Sequence, residues 1–301
     1  MSPRPPLLLL TALIWLSTFA LSACTDDSDA APLVVTSEED GETASQSLTL
    51  REAIELSSTS RRPITFDPDV DRIQLAKPIR LKSGVRIVGQ DHDPLIVFEG
   101  RGSVFYIDGV EDVSVSGITI TQNTGSSELP GDCITVRNGA TRVSLHGLAV
   151  SACNDGLIDV TTTGLEPMQV SIYDTNFSNH DKAVLVSAPP SDPGECSEPI
   201  IELLITNSRF HRTGQRHPRA SGRVRVETTG NVVRYEPFRK EEGLGAAYGV
   251  YADKGAEIIL RDNDIRPSSA TIPEKNHWQS EEPCTRVIVI DSVDEAQQHR
   301  Q

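Results

Sequence analysis

The sequence predicts an all-β fold, a right-handed parallel β-helix closed at its N-terminal end by one short helix. Three observations carry that expectation: an octet that recurs along the chain, a composition suited to strands and turns, and a single segment with helical period. The octets are VSVSGITI (113–120), VSLHGLAV (143–150), VSIYDTNF (170–177), LLITNSRF (203–210), NVVRYEPF (231–238) and IILRDNDI (258–265). Positions 1 and 3 are apolar in five of the six, and position 8 is apolar in all. Position 5 is Gly, Asp or Asn except at Tyr235. Their starts lie 30, 27, 33, 28 and 27 residues apart. Leucine-rich repeats are shorter than this and propeller blades longer, whereas a coil of three short strands per turn fits. Aromatic residues make up only 5% of the chain, and Val, Ile, Thr, Asn, Asp and Gly abound, which favours short strands and tight turns.

Residues 1–23 read as a signal peptide rather than as fold, with Arg4 as its basic start and an apolar stretch from Leu7 to Leu21. Leu21-Ser22-Ala23-Cys24 resembles the lipobox of bacterial lipoproteins. That resemblance implies that Cys24 is acylated and becomes the mature N-terminus, with acyl chains as the membrane anchor. Thr25 in the next position resembles lipoproteins destined for the outer membrane, so an outer-membrane or cell-surface location is expected, with the periplasmic side open. Residues 24–45 carry seven acids and no base, a pattern of a solvated tether, and 46–301 form the folded domain. Thr49 and Glu52 make a capping-box pattern, and Leu50, Ala53 and Ile54 share one face, so a helix is expected over 48–57. Strand-like segments follow at Ile64–Phe66, Arg72–Leu75, Ile79–Leu81 and Val85–Val88.

The chemistry concentrates at Asn154-Asp155-Gly156-Leu157-Ile158-Asp159. In an extended segment Asp155, Leu157 and Asp159 share a face. Asp132 stands 23 residues before Asp155, close to one coil, so stacking predicts three carboxylates converging on one surface. Such a set of hard oxygen donors suits Ca2+. The formal net charge of −15 excludes general nucleic-acid binding. A local cluster of Arg212, Arg216, Arg219, Arg223 and Arg225 can still draw in an anionic polymer, or can pair with the many acids. His180, His211 and His217 are not spaced as zinc ligands, and no CxxC or HExxH occurs. The glycines of 243–249 imitate a dinucleotide loop but lead into VYADKG rather than a helix. Cys133 and Cys153 are about a coil apart and Cys196 and Cys284 remain as a second pair, while free buried thiols are equally compatible with the sequence.

Several segments taken together resemble the pectate lyase superfamily, of the polysaccharide lyase family 1 kind. They are Thr49–Ile54, Gly131-Asp132-Cys133-Ile134, Asp155–Asp159, Asn179-His180-Asp181-Lys182 and Gly214-Gln215-Arg216-His217-Pro218-Arg219, in family order over roughly 48–265. The resemblance implies a parallel β-helix, calcium held by Asp132, Asp155 and Asp159, and Arg216 abstracting the C5 proton of a galacturonate. It implies substrate contacts from Lys182 and Arg219, and an activity of β-elimination on pectate-like polyuronates. A base of this kind works against a guanidinium's normal charge, so neighbouring cations and an alkaline optimum are expected. Ser221 stands where the motif has its second Arg, Pro130 where it has a further Asp, and Ser144–Gly147 where it has Trp, Asp and His. Two other readings stay open: a polysaccharide-binding β-helix without turnover, and a hydrolase that needs no calcium. A monomer whose one membrane contact is its lipid anchor is expected.

Overall fold

Among the described residues of the computed structural model every strand pairs in parallel with its counterpart one coil away, and three sheets result. The described residues are 31–40, 47–89, 92–123, 130–192, 195–237, 247–272, 274 and 277–290. The leader, Cys24, much of the tether and most of the 243–249 segment therefore lie outside them. One sheet has ten strands, from Leu33–Val35 to Arg286–Ile290. The second has eight, from Ile79–Leu81 to His277–Gln279, and the third eight, from Arg72–Leu75 to Asp264–Pro267. This is the expected parallel β-helix. Among the described residues no helix is long and apolar enough to cross a membrane.

Alternation along each strand sends every second residue into the shaft, where equivalent residues stack coil upon coil. Val113, Val143, Val170, Leu203, Val226 and Ile258 form one such buried column. Phe177 and Phe210 form part of another, their rings parallel within 2° at 4.3 Å. Each large side chain buried in this way contributes about 1.5–3 kcal/mol.

Position 5 of the octet is a corner. Gly117, Gly147, Asp174, Asn207, Gly230 and Asp262 all have φ between +50° and +67°. That left-handed region is open to glycine and tolerated by Asn and Asp, which explains the restricted residue types there. One expected octet is out of frame. Val226 pairs with Leu203 and with Ile258, so the fifth unit is 226–233 rather than 231–238. Gly230 takes the corner and Val233 the closing apolar position, while Tyr235, the apparent exception, is fully buried in the strand Val232–Tyr235.

The open N-terminal end of the shaft is covered by the helix Leu50–Ser60. Thr49 caps it: the Glu52 backbone N–H donates to Thr49 Oγ1 (3.2 Å) and the Thr49 N–H donates back to Glu52 Oε2 (2.9 Å). Leu50, Ala53, Ile54 and Ser57 are buried beneath it. The tether expectation needs correction at Leu33–Val35. This strand pairs with Ile64–Phe66 and buries Leu33 and Val35, so folded structure begins upstream of residue 46. The apolar triplet inside the acidic run suits a strand, with Leu33 and Val35 turned inward and Val34 left exposed between them. Both cysteine pairs are disulfides, Cys133–Cys153 and Cys196–Cys284, each with Cα atoms 5.5 Å apart.

The corner geometry is testable at Asn207. Replacing it with Val should lower stability by about 1–3 kcal/mol, because a β-branched residue resists positive φ. Asn207→Gly should be tolerated with little change. Urea midpoints for the two variants decide this, and a Val variant as stable as the Gly variant would refute the corner's role.

Candidate active site

The sequence-predicted residues gather at one edge of the second sheet, where chain leaves a corner and enters Ile134–Arg137, Ile158–Thr161, Val184–Ser187 and Arg219–Ser221. The ladder runs one residue away from the expected stacking. Ile134 pairs with Ile158, and Cys133 N–H donates to Gly156 O (3.2 Å), so the neighbour of Asp132 is Gly156 rather than Asp155. Asp155–Leu157 is also corner rather than strand. Leu157 and Ile158 are both buried, so the expected alternation through Asp155 and Leu157 does not hold. Asp155 and Asp159 reach the same surface around a bend.

Asp132 is nearly buried and tightly held. Its Oδ2 accepts from Thr135 Oγ1 at 2.8 Å, and its N–H donates to Ser103 Oγ at 3.0 Å. Gln122 staples the surrounding coils: its Nε2 donates to Asp132 O (3.1 Å) and Gly102 O (3.0 Å), and its Oε1 accepts from the Asn154 N–H (2.7 Å). Asp132 Oδ1 and Asp159 Oδ1 are buried with no hydrogen-bond partner. They border the same space over Gly156, where a Cβ would stand 2.9 Å from the first and 3.2 Å from the second. Burial, with the charge of Asp132 added, pushes the Asp159 carboxyl up to about 8. Burial, offset in part by Thr135 and increased by Asp155, also raises that of Asp132.

The basic half faces these acids from the next two coils. Lys182 Nζ donates to Asp155 Oδ1 at 2.5 Å. Burial acts to raise the Asp155 carboxyl, but the Lys182 bond and charge prevail and hold it low. Asp155 is thus turned toward Lys182, and the three carboxylates do not converge. Among the described residues no group of three His, Cys, Asp or Glu forms a ready metal cluster. The two orphaned oxygens and the space left by Gly156 nonetheless fit a hard divalent cation, with Asp155 close by in sequence as a third oxygen donor. Arg216 Nη1 lies 4.0 Å from Asp159 Oδ1, its Nε is buried without a partner, and its backbone has φ +64°.

The rest of the arginine cluster disperses. Arg219 donates to Asp253 Oδ2 (2.9 Å), Arg223 to Glu198 O (2.9 Å) and Arg225 to Glu257 Oε2 (2.6 Å), while Arg212 is exposed. Ser221 is buried beside Asp253 in the ladder.

A scan of protein-family models finds no match to the chain. A search of curated proteins also finds none. Among solved structures, Jun a 1, the major allergen from cedar pollen, superposes with a TM-score of 0.56 at 20% identity, covering 86% of this chain and 70% of that one. The fold is shared. An arginine-to-lysine mutant of a Bacillus subtilis pectate lyase gives 0.46 at 15% identity, over 81% of this chain and 63% of its own. A polygalacturonate lyase fused with a self-assembling amphipathic peptide gives 0.39 at 14%, over 80% and 64%. These last two overlaps are too loose to carry an argument.

Sequence reasoning missed Ser103, Gln122, Thr135 and His217. Thr135 sits three residues after Asp132, a spacing at which a hydroxyl can reach back to the carboxylate, but nothing local marks the others. His217 is wholly buried behind Arg216, its ring edge-on to Phe210 at 5.4 Å. Nδ1 faces the carbonyls of Tyr248 and Gly249, both at 2.9 Å, and these can only accept, so Nδ1 carries the proton. Nε2 then accepts from Thr213 Oγ1 at 2.8 Å. Burial pushes the imidazole down to about 4.

The neutral His217 has a stability signature. Its folded value lies below the unfolded value of about 6.5, so its contribution is complete above that pH and is lost as pH falls toward about 4. Urea unfolding across this range should show a shallower decline in His217→Gln than in the parent. Equal slopes would contradict the assignment.

Proposed function

We propose that the protein is a calcium-dependent lyase that cleaves pectate-like polyuronates by β-elimination. In this reading it is exported, and an acylated Cys24 anchors it at the outer membrane or cell surface. The carrying observation is the pair of buried, unpartnered carboxylate oxygens on Asp132 and Asp159, with Arg216 beside them and Lys182 one coil from Gly156. The motif resemblance supports the substrate class.

Asp132 and Asp159, with Asp155 once released from Lys182, would hold the ion. A calcium ion bound there supplies charge neutralisation of the uronate carboxylate, which makes the adjacent C5–H more acidic. Lys182 orients that carboxylate by exchanging its bond to Asp155 for one to substrate. A terminal nitrogen of Arg216, in its neutral guanidine form, takes the C5 proton and becomes guanidinium, the C5–H electron pair becomes the C4–C5 double bond, and the C4–O bond breaks. The leaving oxygen receives a proton from solvent. The corner that carries Arg216 is pinned by His217, so the guanidinium is aimed before substrate arrives.

A second reading, a binding protein without turnover, is favoured by two observations: Ser221 replaces the second motif Arg, and Asp155 is engaged by Lys182. The deciding experiment mixes polygalacturonate, calcium and purified protein at alkaline pH and follows ultraviolet absorbance of the unsaturated product. The lyase reading expects a signal that a chelator abolishes and that Arg216→Ala lowers by about 100-fold or more, with calcium uptake preserved. A maximal rate below about pH 6 would sink Arg216 as the base. Binding without product supports the second reading, and new reducing ends released in chelator with no unsaturated product support a hydrolase.

Asp159→Asn separates the ion site from the base. Calorimetry should show calcium affinity reduced by at least about tenfold, since one charged donor of a small set is lost. Unchanged affinity would remove Asp159 from the ligand set.

A further inference from the structure

The outward-facing column that contains Asp159 does not end at the candidate site. The ladder continues it through Leu185, Arg219 and Tyr251 to Trp278. Trp278 is 56% exposed, and its ring lies 5.0 Å from that of Tyr251 at 49°. Tyr251 in turn meets Tyr248 at 6.0 Å and 66°, and the Arg219 guanidinium sits 5.2 Å over its ring. The flanking residues Val250 and Ala252 are buried in the shaft, so the strand fixes Tyr251 facing outward.

An open indole aligned with a tyrosine and an arginine combines two recognition features. Sugar rings present a face of C–H bonds whose partial positive charge suits the negative face of an aromatic ring. A guanidinium at the edge of that platform suits a carboxylate. Arg219 donates to Asp253 through Nη2 and its Nε is buried, so a carboxylate would meet the guanidinium at its remaining terminal nitrogen. Four strand steps separate Asp159 from Trp278, a span of about 19 Å at about 4.8 Å per step. A single sugar cannot bridge that distance; an extended oligosaccharide lying along the helix axis can.

We propose that Tyr251 and Trp278 form a subsite that stacks a uronate unit of the polymer whose cleaved bond lies at Asp132, Asp159 and Arg216. The proposal rests on the polyuronate reading above. Charge complementarity at Arg219 and continuity of one column with the acid centre select this occupant over a protein partner.

Trp278 can report on its own contact. The chain has two tryptophans, Trp15 in the expected leader and Trp278, so Trp15→Phe in the full chain leaves all indole emission to the proposed subsite. Galacturonate oligomers, too short or long enough to reach Trp278, are titrated with calcium by calorimetry and by fluorescence. Long oligomers should bind about 3- to 10-fold more tightly than short ones and shift the emission. Trp278→Ala should lose that gain and bind short oligomers as before, while Trp278→Phe should keep part of it. The subsite is overturned if long oligomers bind with emission unchanged, or if the Ala variant binds them as tightly as the parent. An equal shift from a neutral oligosaccharide overturns the uronate class. Absence of any galacturonate binding in calorimetry overturns the proposed function, and the subsite with it.

Discussion

The parallel backbone ladder between coils is the constraint on which the rest of this molecule depends. A parallel register decides which residues, far apart in sequence, become neighbours in space, and a slip of one residue would turn every side chain to the opposite face. Buried columns of Val, Ile, Leu and Phe resist such a slip, because each coil presents its apolar residues at matching heights. The left-handed corners let the register survive coils of unequal length. Extra residues are taken up between strands, while Gly, Asp or Asn keeps each bend the same.

The acid centre is a product of that ladder and would be unfavourable in isolation. Both carboxylates are buried and lose solvation, and the charges of neighbouring acids add to this, which is why their protons are held more firmly than usual. The surrounding structure holds them in place regardless. Ser103 and Thr135 fix one side of Asp132, Gln122 ties Asp132 to Asn154, and the Cys133–Cys153 disulfide links the same two corners. Closing a 20-residue loop in this way is worth about 3 kcal/mol in the chain-entropy picture. A cation held there, as proposed, would relieve the repulsion among those acids.

Charge on the outer faces has a different character. Arg142 with Glu111 and Asp112, Arg225 and Arg286 with Glu257, and Arg234 with Asp264 lace neighbouring coils, while Arg266 meets Asp264 within one strand. Such pairs contribute only about 0–1 kcal/mol each. Their effect is to spread the basic residues over the surface, and at the site Lys182 and Arg219 are likewise paired, with Asp155 and Asp253.

By itself the sequence determined the architecture, the capping helix and the residue types of the centre. Those features depend on local period, on corner chemistry and on which acids and bases recur a coil apart. Tertiary structure alone decided the partners. Coil length read from sequence is uncertain by a residue or more, because corners absorb insertions, and that margin separates Asp155 from Gly156 as the neighbour of Asp132. It also moved the fifth octet from 231–238 to 226–233 and exposed Leu33–Val35 as a strand. The pairing of Asp155 with Lys182, and the closure of both disulfides, are long-range choices made by packing. Hydrophobic spacing reports that two coils stack; only the hydrogen bonds between them report which side chains meet.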